Sequence, residues 1–273
     1  MTRANPATTH APHSDTNTAI DVRDLTMAWG ERVIQRDLNF TVARGAVFVI
    51  MGPSGCGKST LLKHMIGLHR PTRGDVHYDG QAYFAATPRE QRALRTRWGV
   101  TFQSGALISA MTLGQNLSLP LELYTDLSPR SRDDLIAMKL SLVGLAGFES
   151  FYPAEISGGM RKRAALARAI MLDPAYLFFD EPSAGLDPLS SRRLDELIVT
   201  LAESMGATVV MVTHELDSIF SIATDAIYLD NASRTLLDQG APEWLRDHSP
   251  HNAVRAFLCR GDDCSTTVEE SHQ

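Results

Sequence analysis

A glycine-rich segment in the first quarter of the chain has the residue types and the spacing of a phosphate-binding loop. It reads MGPSGCGKST, in which Gly52, four further residues, and then Gly57, Lys58 and Ser59 give the pattern G-x-x-x-x-G-K-[ST]. Glycines let successive backbone N–H groups turn towards an anion, and the N-terminus of the following helix adds its positive end. Lys58 would neutralise the terminal phosphates of a nucleotide, and the Ser59 hydroxyl would be a ligand of Mg²⁺. The predicted phosphate-binding residues are Gly52, Pro53, Ser54, Gly55, Cys56, Gly57, Lys58, Ser59 and Thr60.

Two adjacent acids later in the chain supply the other groups that hydrolysis of a nucleoside triphosphate needs. The segment YLFFDEPSAGLD is a buried-strand pattern that ends at Asp180 and is followed at once by Glu181. Asp180 would hold Mg²⁺ directly or through a water molecule, and Glu181 would orient and deprotonate the attacking water. Together with the phosphate loop, these acids predict an NTPase.

The elements that must position these groups follow an α/β pattern. Three continuously apolar runs have the length of strands buried on both faces: AVFVIM (46–51), AYLFFD (175–180) and ATVVMV (207–212). A helical pattern follows each run, which indicates a mainly parallel sheet. The helix after the second run is marked by Asp187 as its N-cap, Pro188 in its first turn and Gly206 at its end.

Other parts of the chain depart from this core pattern. AIDVRDLTMAW and VIQRDLNFTVARG alternate apolar and polar residues, which predicts an antiparallel β subdomain. Residues from about 104 to 172 are helical in pattern, which predicts an all-α insertion carried by a P-loop NTPase core. We therefore predict one domain over residues 20–258. The segments 1–19 and 259–273 are predicted to be disordered tails, because they hold too little apolar surface to order themselves.

Composition and charge argue against several classes of function. The net charge of -6 argues against a nucleic-acid-binding protein that relies on a general basic field. The longest apolar runs are strand-sized, far below the roughly 20 residues of a membrane-spanning helix, so we expect the chain not to cross a membrane. The basic residues comprise 22 Arg and only 4 Lys. A lysine would therefore occur less often inside a motif by chance.

Five further elements occur in order around these motifs. They are Trp29, Gln103 in TFQSGAL, the run Ser157, Gly158 and Gly159, SAGLD after the two acids, and His214 in VTHEL. A lone Gln or His is more often structural than functional. The ordered set, however, resembles the nucleotide-binding subunit of ATP-binding cassette (ABC) transporters, from Ile20 to about Phe257. The resemblance implies the ABC ATPase fold.

The same resemblance implies ATP and Mg²⁺ as cofactors and a role for each matched residue. Trp29 matches the aromatic residue that stacks on adenine. Gln103 matches the residue that links Mg²⁺ and the attacking water to the helical insertion, and His214 matches the residue that contacts the γ-phosphate. Asp187 lies in the loop that passes between subunits. Two copies pair head-to-tail in this family, so each Ser-Gly-Gly run closes over the ATP held by the other copy.

The Ser-Gly-Gly run opens a segment crowded with arginine and alanine, EISGGMRKRAALARAI. A helix that starts at Ser157 presents free N–H groups and a positive end to an anion. Arg161, Arg163 and Arg168 spread around this helix, so we predict that they form a solvated or interdomain face rather than contacts to phosphate.

Met160 departs from the family pattern, since Gln is commonest there and a thioether cannot donate the hydrogen bonds of an amide. The combination of FQSGAL and SGGMRKRAALARAI resembles the ATPase of MCE-associated transporters, which move phospholipids between bacterial membranes. That resemblance implies a transmembrane permease, an MCE lipid-binding protein and a small regulatory subunit as partners, at the cytoplasmic face of the inner membrane. The alternative is the ATPase of a polar amino-acid or other small-solute importer, which shares every catalytic motif. Met160 would then be a tolerated substitution.

Each of two segments outside the catalytic motifs has two possible roles. GALISAMTLGQNLSLPLELY, just after Gln103, is either the surface that docks a permease or plain core of the insertion. APEWLRDHSPHNAVRAFLCRG reads as helical and either binds a regulatory subunit or packs on its own domain. ABC ATPases that act on ribosomes or DNA usually carry two cassettes or long coiled-coil insertions, and the sequence shows neither. A P-loop kinase would lack the Ser-Gly-Gly, Gln and His elements.

Overall fold

The computed structural model describes residues 17–259. The strands in this range are β1 (Thr18–Trp29), β2 (Arg32–Ala43), β3 (Val47–Met51), β4 (Arg73–Tyr78), β5 (Gln81–Ala82), β6 (Trp98–Thr101), β7 (Tyr176–Asp180), β8 (Thr208–Val212), β9 (Asp225–Leu229) and β10 (Leu236–Gly240). The helices are α1 (Lys58–Met65), α2 (Pro88–Arg95), α3 (Leu113–Tyr124), α4 (Pro129–Leu142), α5 (Gly158–Ala169), α6 (Pro188–Met205), α7 (Leu216–Ile222), α8 (Pro242–His248) and α9 (Asn252–Leu258), with a 3₁₀ turn at Pro153–Glu155. None of these helices has both the length and the apolar character needed to span a membrane.

The predicted tails, 1–19 and 259–273, lie almost wholly outside the described residues. Where they overlap that range, β1 already begins at Thr18, so residues 18 and 19 belong to a strand. Pairing with β2 brings them into the domain, because Thr18 lies opposite Ala43.

A six-stranded sheet forms the centre of the molecule and confirms the predicted α/β core. Its order is β10-β9-β3-β8-β7-β6, with parallel pairing from β9 to β6 and antiparallel pairing of β10 on β9. The three continuously apolar runs are the neighbouring strands β3, β8 and β7. The strand β6 was not predicted, because its four residues, WGVT, are too few to show a periodicity.

Strand β3 is buried on both faces and contributes side chains to the two hydrophobic clusters on either side of the sheet. Val47, Val49 and Met51 belong to one hydrophobic cluster, whereas Phe48 and Ile50 belong to the cluster on the opposite face. Alternation of this kind follows from the pleat of a strand. Each fully buried aliphatic side chain contributes about 1.5–3 kcal/mol, so the strand that leads into the phosphate loop is firmly held.

The second sheet is antiparallel, as predicted, with the order β2-β1-β4-β5. Leu25 and Leu38 are completely buried on its inner face. Phe40 stacks on Phe48 of β3, with ring centroids 5.6 Å apart. These contacts join the antiparallel subdomain to the parallel sheet.

Between β6 and β7 the chain forms α3, α4 and α5 and no strand, which agrees with the predicted all-α insertion. The buried side chain of Asn116 fixes the loop that leads into α3. Its Oδ1 accepts a hydrogen bond from the N–H of Ile108 at 2.8 Å. Its Nδ2 donates to the carbonyl oxygens of Ile108, Met111 and Thr112. The loop after Gln103 is therefore tied to the first turns of α3.

Helix α6 begins and ends as predicted. The Oδ1 atom of Asp187 accepts a hydrogen bond from the N–H of Ser190 at 3.0 Å, which caps the first turn. Gly206 ends the helix in the left-handed region, with φ of 62°. Hydrogen bonds from Ser190 to this carboxylate hold the pKa of Asp187 below its ordinary value.

Asp195, further along α6, is a buried acid whose ionisation opposes folding. Its Oδ2 accepts a hydrogen bond from the Ser218 hydroxyl at 2.6 Å, but its buried Oδ1 has no hydrogen-bond partner among the described residues. Burial raises the pKa of Asp195 from 3.8 to about 6, and the charges of Glu215 and Glu196 add to the effect. The folded state therefore binds more protons than the unfolded state between about pH 4 and pH 6, so stability from this group falls as pH rises through that window.

We expect Asp195→Asn to raise the free energy of unfolding at pH 8 by on the order of 2 kcal/mol and to change it little at pH 4. The amide carries no charge to desolvate and still accepts the hydrogen bond from Ser218. Urea unfolding at both pH values measures the effect, with exposed Asp133→Asn on α4 as the control. An equal gain at both pH values would show that the charge of Asp195 is not the cause.

Candidate active site

The predicted phosphate loop joins the end of β3 to the start of α1. At two of its glycines, the positive φ and a close neighbouring atom leave no room for a side chain. Gly52 has φ of 142°, and a Cβ there would lie 2.3 Å from the carbonyl oxygen of Leu229. Gly57 has φ of 103°, and its Cβ would lie 2.8 Å from the side chain of Ile34. The loop is thus closely wrapped in front of the N-terminus of α1, where free N–H groups favour an anion.

Lys58 folds back over this loop instead of extending into solvent. Its Nζ donates hydrogen bonds to the carbonyl oxygens of Gly52 at 2.8 Å and Pro53 at 3.0 Å. Only 8% of the residue is exposed. An ammonium group held at the loop carbonyls is placed to meet phosphate oxygens that enter the loop.

A buried glutamine, which the sequence analysis missed, holds the loop from behind. The Nε2 of Gln35 donates to the carbonyl oxygens of Cys56 at 2.7 Å and Asp230 at 2.9 Å. Cys56 itself is buried, and burial raises the pKa of its thiol. It therefore packs as a neutral side chain beneath the loop.

Two of the three residues predicted to hold Mg²⁺, Ser59 and Asp180, are in direct contact. The Ser59 hydroxyl donates a hydrogen bond to Oδ1 of Asp180 at 2.7 Å, although 121 positions separate them. A hydroxyl and a carboxylate oxygen fit Mg²⁺, which prefers oxygen ligands and usually takes the rest of its shell from water and nucleotide phosphates. No group of three or more His, Cys, Asp or Glu side chains in the described part of the chain is arranged to hold a metal ion.

Glu181 and His214 form a second pair at the same edge of the sheet. Glu181 follows β7 and His214 follows β8, and these strands are parallel neighbours. The Nδ1 of His214 lies 2.8 Å from Oε1 of Glu181. Glu181 has φ of 51°, in the region that non-glycine residues rarely adopt, and such strain is concentrated at functional sites.

Gln103 completes this edge, since it lies just after β6, the parallel neighbour of β7. The carboxyl ends of β3, β6, β7 and β8 thus carry the phosphate loop and the predicted Gln, acidic and His residues. Ligands bind at this end of open parallel sheets. The carbonyl oxygen of Gln103 accepts a hydrogen bond from Nζ of Lys162, a residue that the sequence analysis did not select.

Trp29 is the last residue of β1 and is 53% exposed. Its ring contacts His69 edge to face, with centroids 4.9 Å apart. This contact supports the indole while much of its surface stays open. An exposed, supported aromatic ring is suited to stacking on a base.

The Ser-Gly-Gly run lines a groove that the phosphate loop does not border. The hydroxyl of Ser157 accepts a hydrogen bond from the N–H of Met160 at 3.2 Å and so caps α5. The run lines an open groove of about 640 Å³ together with Gly185 and Asp187. The lining of that groove includes no residue of the phosphate loop. The two segments predicted to bind anions therefore lie on different surfaces of one chain.

The arginines of α5 donate hydrogen bonds to backbone carbonyls of the helical insertion, while Arg161 stays exposed to solvent and Arg163 and Arg168 are partly exposed. Arg161 donates to the carbonyl of Ile156 at 3.0 Å. Arg163 donates to those of Val143 and Gly144, and Arg168 to those of Gly105 and Ala106. Arg168 thereby fastens the loop after Gln103 to α5. Its guanidinium loses solvation there, which lowers its pKa.

Known proteins resemble the chain in sequence over most of its length. A family model described as ABC transporter matches residues 35–184. "Intermembrane phospholipid transport system ATP-binding protein MlaF" of Haemophilus influenzae is 41% identical over 226 residues, which cover 83% of this chain and 85% of that protein. "Probable ribonucleotide transport ATP-binding protein mkl" of Mycobacterium tuberculosis is 44% identical over 199 residues, and the chain spans only 55% of its length.

A solved structure shares the fold. The ATP-binding cassette MJ0796, in a dimeric post-hydrolysis state bound to ADP and Pi, superimposes with a TM-score of 0.74 at 29% sequence identity. The superposition covers 81% of this chain and 98% of that chain.

A phosphate loop at the carboxyl edge of a parallel sheet, with two acids at the end of β7 on the same edge, defines the chain as a P-loop NTPase. The insertion, the added antiparallel sheet and the family match narrow this class. The chain belongs to the ABC transporter family, and its matched region is an ATPase domain.

Proposed function

We propose that the chain is the ATP-hydrolysing subunit of a transporter that moves phospholipid between bacterial membranes, through a separate permease. The observation that carries this proposal is the 41% identity to MlaF of Haemophilus influenzae over most of both chains. MlaF of Escherichia coli K12 adds 39% identity over 239 residues, 88% of each chain. The match to mkl spans a smaller share of both proteins.

In the proposed site, ATP lies on the phosphate loop with its adenine on Trp29. The backbone N–H groups of the loop and the ammonium of Lys58 bind the phosphates. Ser59 and Asp180 would hold Mg²⁺, with Gln103 as a further ligand, and the ion would supply positive charge beside the phosphates. The Ser59–Asp180 contact supports this assignment, since it already places both oxygens together.

Glu181 is the proposed base, which orients the attacking water and takes its proton. His214 is 2.8 Å from the Glu181 carboxylate and can fix its orientation while contacting the γ-phosphate. Catalysis in such a site comes mostly from positioning and from charge stabilisation. The parallel strands supply the rigid frame on which that positioning depends.

The proposed active assembly contains two copies of the chain. Ser157, Gly158 and Gly159 of one copy close over the ATP held by the other, and Asp187 lies in the loop between the copies. The placement of the Ser-Gly-Gly run in a groove apart from the phosphate loop supports this arrangement, because each surface is then half of a site. The solved MJ0796 cassette is dimeric.

The segment after Gln103 is the proposed docking surface for the permease. Its two interpretations apply to different residues: Leu113, Leu117 and Leu121 are buried in the core, whereas Leu123 is 62% exposed and Tyr124 44% exposed. The exposed pair is available to a membrane partner. The proposed location is peripheral, on the cytoplasmic face of the inner membrane, and an MCE lipid-binding protein and a small regulatory subunit are further proposed partners.

Purification of the tagged full-length chain from native membranes tests the substrate class. We expect a permease and a protein with an MCE lipid-binding domain to co-purify, with phospholipid. Recovery of a permease with a periplasmic solute-binding protein would replace this proposal with a polar amino-acid or other small-solute importer.

A further inference from the structure

Lys162 of α5 lies where two segments of the active site meet. Its Nζ donates hydrogen bonds to the carbonyl oxygens of Gln103 and of Glu181, the latter at 3.4 Å. The side chain is half-buried, and the loss of solvation lowers its pKa despite the nearby charges of Glu181 and Glu215. It is one of only four lysines in the chain. A desolvated ammonium at this position requires an explanation.

The backbone of Glu181 has an unfavourable conformation that its neighbours must maintain. Its φ of 51° is in the left-handed region. Its N–H donates to the carbonyl of Val212 at 2.9 Å, and its carbonyl accepts from the N–H of Ala184 at 3.3 Å. Its carboxylate contacts His214. All these partners belong to the NTPase core, whereas Lys162 reaches Glu181 from the helical insertion.

Arg168 of α5 also binds the loop that follows Gln103, but its hydrogen bonds do not include Glu181. Arg168 binds the carbonyls of Gly105 and Ala106 and makes no contact with Glu181 among its hydrogen bonds. Lys162 binds both segments at once. An ammonium group can do so because it carries three donors and no acceptor.

We propose that Lys162 is a positioning residue for hydrolysis. It sets the placement of Gln103 and Glu181 relative to each other and to the helix that begins at the Ser-Gly-Gly run. The inference rests on the roles proposed above for Gln103 and Glu181. Loss of this link would displace the base and the water-positioning loop, while the phosphate loop that binds ATP would be unchanged.

Lys162→Met and Lys162→Arg in the full-length chain test this role by their separate effects on kcat and KM. We expect Lys162→Met to lower kcat roughly 10- to 100-fold, since small displacements of reacting groups have effects of that size. KM for ATP should stay within about twofold, because ground-state binding is unaffected. Lys162→Arg should restore most of the activity, since a guanidinium can also donate to two carbonyls.

Lys139→Met provides the matched control for a purely structural effect. Lys139 is a buried lysine of α4 that pairs with Asp173 and contacts neither active-site segment in its hydrogen bonds. We expect this variant to lose thermal stability and to keep its kcat. If kcat of Lys162→Met is within about twofold of wild type, or if both Met variants lose kcat in proportion to their stability, Lys162 is not a positioning residue.

A failure of the underlying proposal gives a different result. If Glu181→Gln hydrolyses ATP as fast as wild type, the base is misassigned and the account of Lys162 is wrong with it. If Glu181→Gln is inactive while Lys162→Met keeps full kcat, only the positioning role is rejected.

Discussion

Replacement of Glu181 with glutamine is expected to preserve ATP binding and to lower turnover by at least about 100-fold, the lower range for loss of a general base. The amide has nearly the same shape and can still pair with His214, so the strand end and the loops around it should keep their positions. It cannot take a proton from water. The defect should therefore lie in kcat, with KM for ATP little changed.

Steady-state phosphate release and equilibrium binding of ATP measure these two quantities for Glu181→Gln. Glu203→Gln is the matched control, because Glu203 is an exposed acid in the last turns of α6. The control should behave as wild type in both assays. Turnover of Glu181→Gln near the wild-type rate would assign the base to another residue.

A Ser157→Arg variant is expected to bind ATP normally as a monomer and to lose about 100-fold in turnover, as when preorganised donors are removed from a reacting site. Ser157 caps α5 at the edge of the groove that also contains Asp187. A long cationic side chain there blocks the approach of a second copy. It leaves the phosphate loop of its own chain unaffected.

Ser131→Arg provides the comparison for this substitution, since Ser131 is an exposed residue in the first turn of α4 in the same helical insertion. It should hydrolyse ATP at close to the wild-type rate. Equal ATPase activity in Ser157→Arg and wild type would mean that the Ser-Gly-Gly run takes no part in the site.

The motifs that depend on a few consecutive residues could be predicted from the sequence. Gly52 to Ser59 form the loop, and Asp187 and Gly206 cap α6, because these features are decided by local backbone geometry and hydrogen bonding. The buried runs of β3, β7 and β8 were also predictable, since a strand covered on both faces must be apolar throughout.

Contacts between distant segments could not be obtained in this way. Gln35, Lys162 and Arg168 each bind carbonyl oxygens of another segment, and neither spacing nor periodicity shows which carbonyls will lie nearby. The arginines of α5 spread around the helix, as the sequence shows, but the carbonyls that Arg163 and Arg168 bind could not be read from that spacing. The scarcity of lysine was the one signal that could have selected Lys162.

The molecular mass of Glu181→Gln in solution, with and without ATP, tests the central claim that two copies complete each other's sites. Light scattering on the full-length chain in ATP and Mg²⁺ should give twice the mass of one chain, because the slow variant stays in the closed, ATP-bound state. Without nucleotide, or with Ser157→Arg added to the same chain, it should give the mass of a monomer. A monomer that has ATP bound at saturation would contradict the account.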